Sequence, residues 1–411
     1  MPNTNDKNII RGLAAEVAEI AAMPVQEQKR AMWRKLNGLK PDRPMVMIDQ
    51  VCWNEMNADD DLTLRCEDPE CRGYEDFLRK TLHQWKHFRV DMVVEPFIRV
   101  PKAIHNTGIG VGAVQDIAVT DPTSAVVGHM FKNQFVTDAD LDKIKMAVVT
   151  HDEAETARRM AVAHELFDGE LAIFEQGMDY NLSIWDPISS LMSVQDACYA
   201  LADRPEYMAE LARRIVKSYM TMLDQTEEQG LLCHSQSLIH CTGAWTDELP
   251  APGFDPAKPR TKDIWMMGLA QMFSTVSPAM FDEFEVEMCM PIFERFGLVY
   301  YGCCDPLDLK MAQVRKIPHA RKISMSPWVD EDRGASQIAG DYVYSRKPNP
   351  ALLARGYFDE PEVRGHLQAS VDVCARYGCP LEFILKDIST VGYEPQRLWR
   401  WAEIAMEVVG A

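Results

Sequence analysis

The 411-residue chain reads as an α/β protein, a (β/α)8 TIM barrel preceded by an N-terminal helical extension. Three observations predict this. From about residue 263 onward, short apolar runs alternate five times with helix-like segments, which implies βα units and a parallel sheet. The runs are continuously apolar rather than alternating with polar residues, as expected of strands covered on both faces. Matching runs in the first half bring the total to about eight strands, and neither GxGxxG nor GxxxxGK[ST] follows any of them, which favours a barrel over an open nucleotide-binding sheet.

Residues 1–42 form the helical extension and 43–411 the barrel domain. In the first half, "RPMVMID", "VDMVVEPFI" and "GELAIFEQG" carry the strand pattern, with helices expected over 153–167 and 205–228. "DELPAPGFDPAKPRTKD" (247–263) is Pro-rich and polar, a long surface loop. Beyond it the strands are "KDIWMMGLA", "GLVYYGC", "KISMSPW", "DYVYSRK" and "LEFILKD". The helices between them open at Asp, Ser or Pro, and several close at Gly.

A formal charge of −19 excludes nucleic acid and anionic membrane as partners, because each needs a basic face. The N-terminal "MPNTNDKNIIRGLAAEVAEI" lacks the basic start and apolar core of a secretory leader, and no window approaches the roughly 18 apolar residues of a membrane span. The expected location is cytoplasmic. Eleven cysteines, an odd number in a reducing compartment, are therefore free thiols or metal ligands. The 24 methionines are gap-filling core residues by default.

In a barrel the reactive groups lie just beyond the strand ends. Those positions hold Asp49, Glu95, His240, Cys241, Cys303, Cys304, Trp328, Asp330, Arg346, Lys347 and Asp387. In "GLVYYGCCDPLDL", Cys303 and Cys304 fall where a strand gives way to an Asp-Pro turn, as small core residues or as ligands of a metal. The pair lacks the CxxC spacing of structural zinc, so a site would recruit distant ligands, His240 of "LIHCTGAW" first among them. Glu285 and Cys289 are one helical turn apart and share a face. Arg346 and Lys347 could hold a carboxylate or phosphate, or pair with neighbouring acids. "FEQGMDYNLSIWDP" places Trp185 among Asp179, Tyr180 and Asp186, either as core or as an aromatic surface for a substrate.

With these residues in view, the C-terminal half resembles the uroporphyrinogen decarboxylase superfamily, and in particular its methyltransferase-like branch. The segments "FGLVYYGCCDPLDL" and "YVYSRKPNPALLARG" carry the resemblance, and "LKPDRPMVMID" looks like the family's entry to its first strand. The resemblance implies a TIM barrel with a zinc ion held by His and Cys at its C-terminal face, and maps the metal-binding cysteine to Cys303 or Cys304. Where the family motif has its histidine, this chain has Tyr301 or Gly302. A further family cysteine falls near Asp387. The implied metal set is then Cys303 and Cys304 completed by His240 or Glu285.

The activity so implied is methyl transfer from a small donor, such as an aryl methyl ether (O-demethylation), to cobalamin carried by a separate corrinoid protein. Zinc acts as Lewis acid, Asp49, Glu95 and His240 are the candidate catalytic groups, and Trp185, Tyr301, Trp328, Arg346 and Lys347 the candidate substrate contacts. Self-association as a homodimer is left open. A cofactor-independent decarboxylase of the uroporphyrinogen type is the alternative, although the paired arginines that would hold propionates are missing from "LKPDRPMVMIDQVCW". A non-catalytic binding protein on a barrel scaffold would instead pack Cys303, Cys304 and His240 apart.

Overall fold

The computed structural model describes residues 2–124 and 126–410. Seven strands form a parallel sheet: β1 Met45–Ile48, β2 Tyr180–Leu182, β3 Trp265–Gly268, β4 Leu298–Tyr301, β5 Ala320–Met325, β6 Val343–Arg346 and β7 Leu381–Leu385. Across the sheet they run β1-β7-β6-β5-β4-β3-β2, so strands successive in the chain lie side by side, and β7 closes back onto β1. The fold is α/β, and the five C-terminal strands fall where the apolar runs predict them.

The hydrogen-bonded ring of eight strands expected from the sequence is not closed among the described residues. A separate parallel pair joins Phe97–Pro101 to Ala172–Gln176. The chain from Ala172 to Leu182 thus runs in two pieces, one against Phe97–Pro101 and the other, as β2, against β3. No ladder forms between β1 and Phe97–Pro101. The cause is local: Asp91 donates its backbone N–H to the Val46 carbonyl (3.1 Å) and takes the Val46 N–H on its own carboxylate (2.9 Å). Arg43 grips that carboxylate with both guanidinium nitrogens. The expected strand "VDMVVEPFI" consequently begins only at Phe97, after a proline that has no N–H to offer a ladder.

Strand alternation sends side chains to two faces. Outward lie Val46, Met266, Val299, Tyr301, Ile323, Tyr344 and Phe383, packed beneath helices that include Pro205–Glu228, Glu287–Phe293, Glu360–Tyr377 and Gln396–Val408. Inward lie Trp265, Met267, Leu298, Tyr300 and Ile384. The inner face also carries a fully buried ion pair, Lys322 Nζ to Glu382 Oε2 at 2.7 Å, supported by Thr242 Oγ1.

The N-terminal segment forms two helices, Thr4–Ala21 and Pro24–Asn37. The second closes the inner face with Trp33 and Leu36, packed on Met45, Met47 and Val343. A Cβ on Gly243 would stand 2.5 Å from the Trp33 ring, so only glycine permits this approach. Asn37 fixes the contact by donating to the carbonyls of Gly243 and Trp245. An antiparallel hairpin, Gln115–Ala118 with Gly128–Phe131, lies in the excursion between Pro101 and helix Glu153–Phe167, and the sequence pattern did not predict it. No helix of the described residues is long and apolar enough to cross a membrane.

Candidate functional site

Beyond the C-terminal ends of β4, β6 and β7, the inner face opens into a cavity of about 370 Å3. Cys303, Cys304, Lys347, Lys386 and Asp387 line one side, and Trp328 with Pro348 and Pro350 the other. Gly302 takes φ +90°, a turn that a side chain would resist, and so brings both cysteines to the strand end. The Cys303 backbone is then held from two sides: its N–H donates to Asp305 Oδ1 and its carbonyl accepts from Ser324 Oγ.

Four ionisable groups surround the Cys303 sulfur. Lys386 Nζ stands 3.0 Å away, Cys304 Sγ 3.6 Å and His240 Nε2 3.7 Å, while Lys347 adds a second cation nearby. The Cys304 S–H and the two ammonium groups stabilise the Cys303 thiolate against the cost of burial and hold its pKa well below the ordinary thiol value. The same bond pushes Cys304 up, because ionising it would place two thiolates side by side.

Burial alone would pull the Lys386 pKa down, but the Cys303 thiolate outweighs it and the ammonium is held above its usual value. Lys386 also donates to His240 Nε2 at 3.0 Å, which makes that nitrogen an acceptor and leaves the imidazole proton on Nδ1. Desolvation accordingly depresses the His240 pKa. Lys347, more deeply buried and pointed at the Tyr300 hydroxyl, is pulled down to about 8.

The donor set fits zinc in kind: two sulfurs, an imidazole nitrogen and the Asp387 carboxylate, whose Oδ2 is 3.5 Å from Cys304 Sγ. With Zn–S near 2.3 Å and Zn–N near 2.1 Å, a tetrahedral centre has donor–donor edges of about 3.5–3.8 Å. The Cys303–Cys304 and Cys303–His240 separations meet that length. Cys304 lies on the Asp387 side, and the three donors are not all within 4.8 Å of one another. Lys386 Nζ occupies the ground between Cys303 and His240, a cation where a metal would bring its charge.

The other residues singled out in the sequence are placed elsewhere. Glu285 and Tyr301 are on the outer face: Tyr301 donates its hydroxyl to Glu285 at 3.0 Å, and Cys289 donates its thiol to the same carboxyl at 3.4 Å. Desolvation raises the Glu285 pKa to about 8. Trp185 is core, packed on Phe273 and donating its indole N–H to the Phe284 carbonyl. Arg346 points outward, bound to the Ser326 carbonyl and Glu331, while Lys347 points in; adjacent strand positions face opposite ways. Trp328 is 71% exposed at the cavity rim. Asp49 and Glu95 line a second, mostly apolar cavity of about 680 Å3 beside the unclosed edge of β1. There Glu95 is already bound by Arg30 and by Ser237 Oγ.

Lys386 lines the candidate site but is not among the residues that the sequence pattern singles out. Its signal was a lysine closing the otherwise apolar run "LEFIL", where a buried cation needs an anionic partner.

No family model matches the chain, and no curated protein matches it. A solved structure, the methyltransferase from Methanosarcina mazei, is similar with a TM-score of 0.48 and 10% identity, over 92% of this chain and 97% of that one.

Proposed function

We propose that this chain is a methyltransferase component that removes a methyl group from a small donor, an aryl methyl ether in the first instance, and passes it to a corrinoid carried by a separate protein. The observation that carries the reading is the convergence of Cys303 Sγ with His240 Nε2 and Cys304 Sγ, from segments 63 residues apart, beside a cavity that both cysteines line. The resemblance of "GLVYYGCCDPLDL" to the methyltransferase-like branch of the uroporphyrinogen decarboxylase superfamily supports it. In that reading the strands are an eight-stranded barrel opened between β1 and Phe97–Pro101.

Cys303, His240, Cys304 and Asp387 would hold zinc, which when bound supplies a Lewis acid at the departing oxygen. The protein's own groups do the remaining work. Trp328 and the prolines enclose an apolar donor and exclude water. In the displacement the methyl carbon–oxygen bond breaks as the acceptor's electron pair bonds to carbon, and the oxygen keeps the bonding pair. Lys347 Nζ, with a pKa near 8, is suited to give that oxygen its proton. Lys386 balances the thiolate charge, a role that a metal cation held by these donors would take over.

One observation favours the alternative decarboxylase. Two buried ammonium groups, Lys347 and Lys386, face the same cavity and could bind a carboxylate without any metal. Metal content separates the two. Protein purified under reducing, chelator-free conditions should carry zinc that falls by one equivalent in Cys303→Ala, and should demethylate guaiacol-type donors when cob(I)alamin is supplied. Unchanged zinc in Cys303→Ala, together with inactivity across a donor panel, would sink the methyltransferase reading.

A further inference from the structure

A second group of ligand-type side chains lies apart from the Cys303 cavity, on the loop after β1 and the last turn of helix Pro69–His87. His83 and His87 are four residues apart, so both imidazoles project from one face of the helix. Asp61, on the loop before it, faces them: one donor atom from each of the three residues can be chosen so that all lie within 4.8 Å of one another. Among the described residues no other set of three His, Cys, Asp or Glu side chains meets that condition.

The hydrogen bonding around these rings is incomplete in a way that points to a ligand. Asp61 Oδ1 is 2.9 Å from His83 Nδ1, which turns that nitrogen toward the carboxylate and Nε2 away from it. That Nε2 is buried and has no partner, on a side chain only 1% exposed. His87 Nε2 is likewise buried without a hydrogen bond, 3.4 Å from Asp59 Oδ2 and 3.9 Å from Asp61 Oδ2. A buried polar atom left unpaired typically costs about 1–3 kcal/mol, so His87 Nε2, aimed at two carboxylates and bonded to neither, calls for an occupant.

The rings are also held in place. His87 stacks on Trp399 of the C-terminal helix at 4.0 Å and 12°, and His83 meets the edge of Trp53 at 6.1 Å. The two imidazoles are themselves 4.5 Å apart. Lys86 currently spans Asp59 (2.9 Å) and Asp61 (3.5 Å), and its half-exposed ammonium can swing into water.

We propose that Asp61, His83 and His87 bind a divalent transition-metal ion, zinc by preference, with Asp59 as a fourth ligand. Two imidazoles exclude magnesium and calcium, which take oxygen donors, and the absence of thiolate separates this centre from the one at Cys303. Filling four positions with protein atoms makes it structural. It clamps the loop after β1 to helix Pro69–His87 and, through Trp399, to the C-terminal helix.

The test uses full-length Cys303→Ser/Cys304→Ser protein, so that zinc at the cysteines cannot contribute. After chelator treatment it should bind one equivalent of Zn2+ in a calorimetric titration, and Co2+ in its place should give visible bands without sulfur charge transfer. His83→Gln and His87→Gln should each weaken binding by at least about tenfold, since even outer ligand partners are worth roughly 10–100-fold. Lys86→Met, a surface change that leaves packing alone, should tighten it several-fold. Binding of no equivalent by the double cysteine variant overturns the proposal. So does a Lys86→Met affinity equal to its parent's, or titration curves for both His variants that match it.

Discussion

Lys386 Nζ lies 3.0 Å from Cys303 Sγ, forming an ammonium–thiol contact across the inner face between the C-terminal ends of β7 and β4. Both groups are buried, and each stabilises the charged form of the other. A neutral pair here would leave a desolvated amine beside a desolvated thiol, so the structure favours charge separation.

Lys386→Met should therefore return the Cys303 thiol toward its ordinary pKa. Removing one close opposite charge shifts a pKa by about 1–3 units, so the midpoint of the pH profile for alkylation by iodoacetamide should rise by about that much. An unmoved midpoint would mean that Cys304 and Lys347 suffice to hold the thiolate.

The depressed Cys303 pKa also fixes a sign for stability against pH. A group whose folded pKa lies below its unfolded one contributes stability that is full above the unfolded value, near 9, and is lost as pH falls toward the folded value. Wild type should gain stability over Cys303→Ser as pH rises from 6 to 9 in urea denaturation. A constant difference would show that the thiol is neutral in the fold.

Glu285 carries the opposite sign. Its folded pKa, near 8, exceeds the ordinary 4.5, so the fold holds a proton that the unfolded chain releases, and stability declines as pH climbs between those values. Gln resembles the protonated acid and can still accept from Tyr301. Glu285→Gln should be close to neutral at pH 4.5 and should then gain on wild type by about 1 kcal/mol per pH unit up to about pH 7.5.

Breaking the buried Lys322–Glu382 pair from one side strands a charge against Trp33 and Thr242. Lys322→Met should cost about 3–5 kcal/mol in chemical denaturation, and the double variant Lys322→Met/Glu382→Leu should recover most of it. If the double variant is as unstable as the sum of its singles, the pair is not the source of the loss.

Trp328, mostly exposed at the rim, contributes little to packing in the free protein. Trp328→Ala should leave the denaturation midpoint unchanged and weaken guaiacol binding roughly three- to tenfold, the usual worth of one aromatic contact. An altered midpoint with unaltered binding would assign the ring to the fold.

The sequence by itself determined a good part of this molecule. Continuous apolar runs such as "GLVYYGC" and "LEFIL" located the buried parallel strands, and residues just past their ends supplied Cys303, Cys304, Lys347 and Trp328, whereas His240 follows only the two-residue antiparallel piece Leu238–Ile239. Those are local properties: a run long enough to be a strand, then a turn. What a continuous run cannot reveal is which of two adjacent residues faces inward, because both faces of such a strand are apolar. Tyr300 and Tyr301, or Arg346 and Lys347, are therefore indistinguishable in sequence, and only helix and strand packing sent Tyr300 and Lys347 to the inner face and Tyr301 and Arg346 to Glu285 and Glu331. The break beside β1 depended on Asp91, 45 residues away, taking the Val46 N–H, and the juxtaposition of Cys303, His240 and Lys386 on three segments at least 63 residues apart. Contacts of that range carry no local periodicity, so tertiary structure alone decided them.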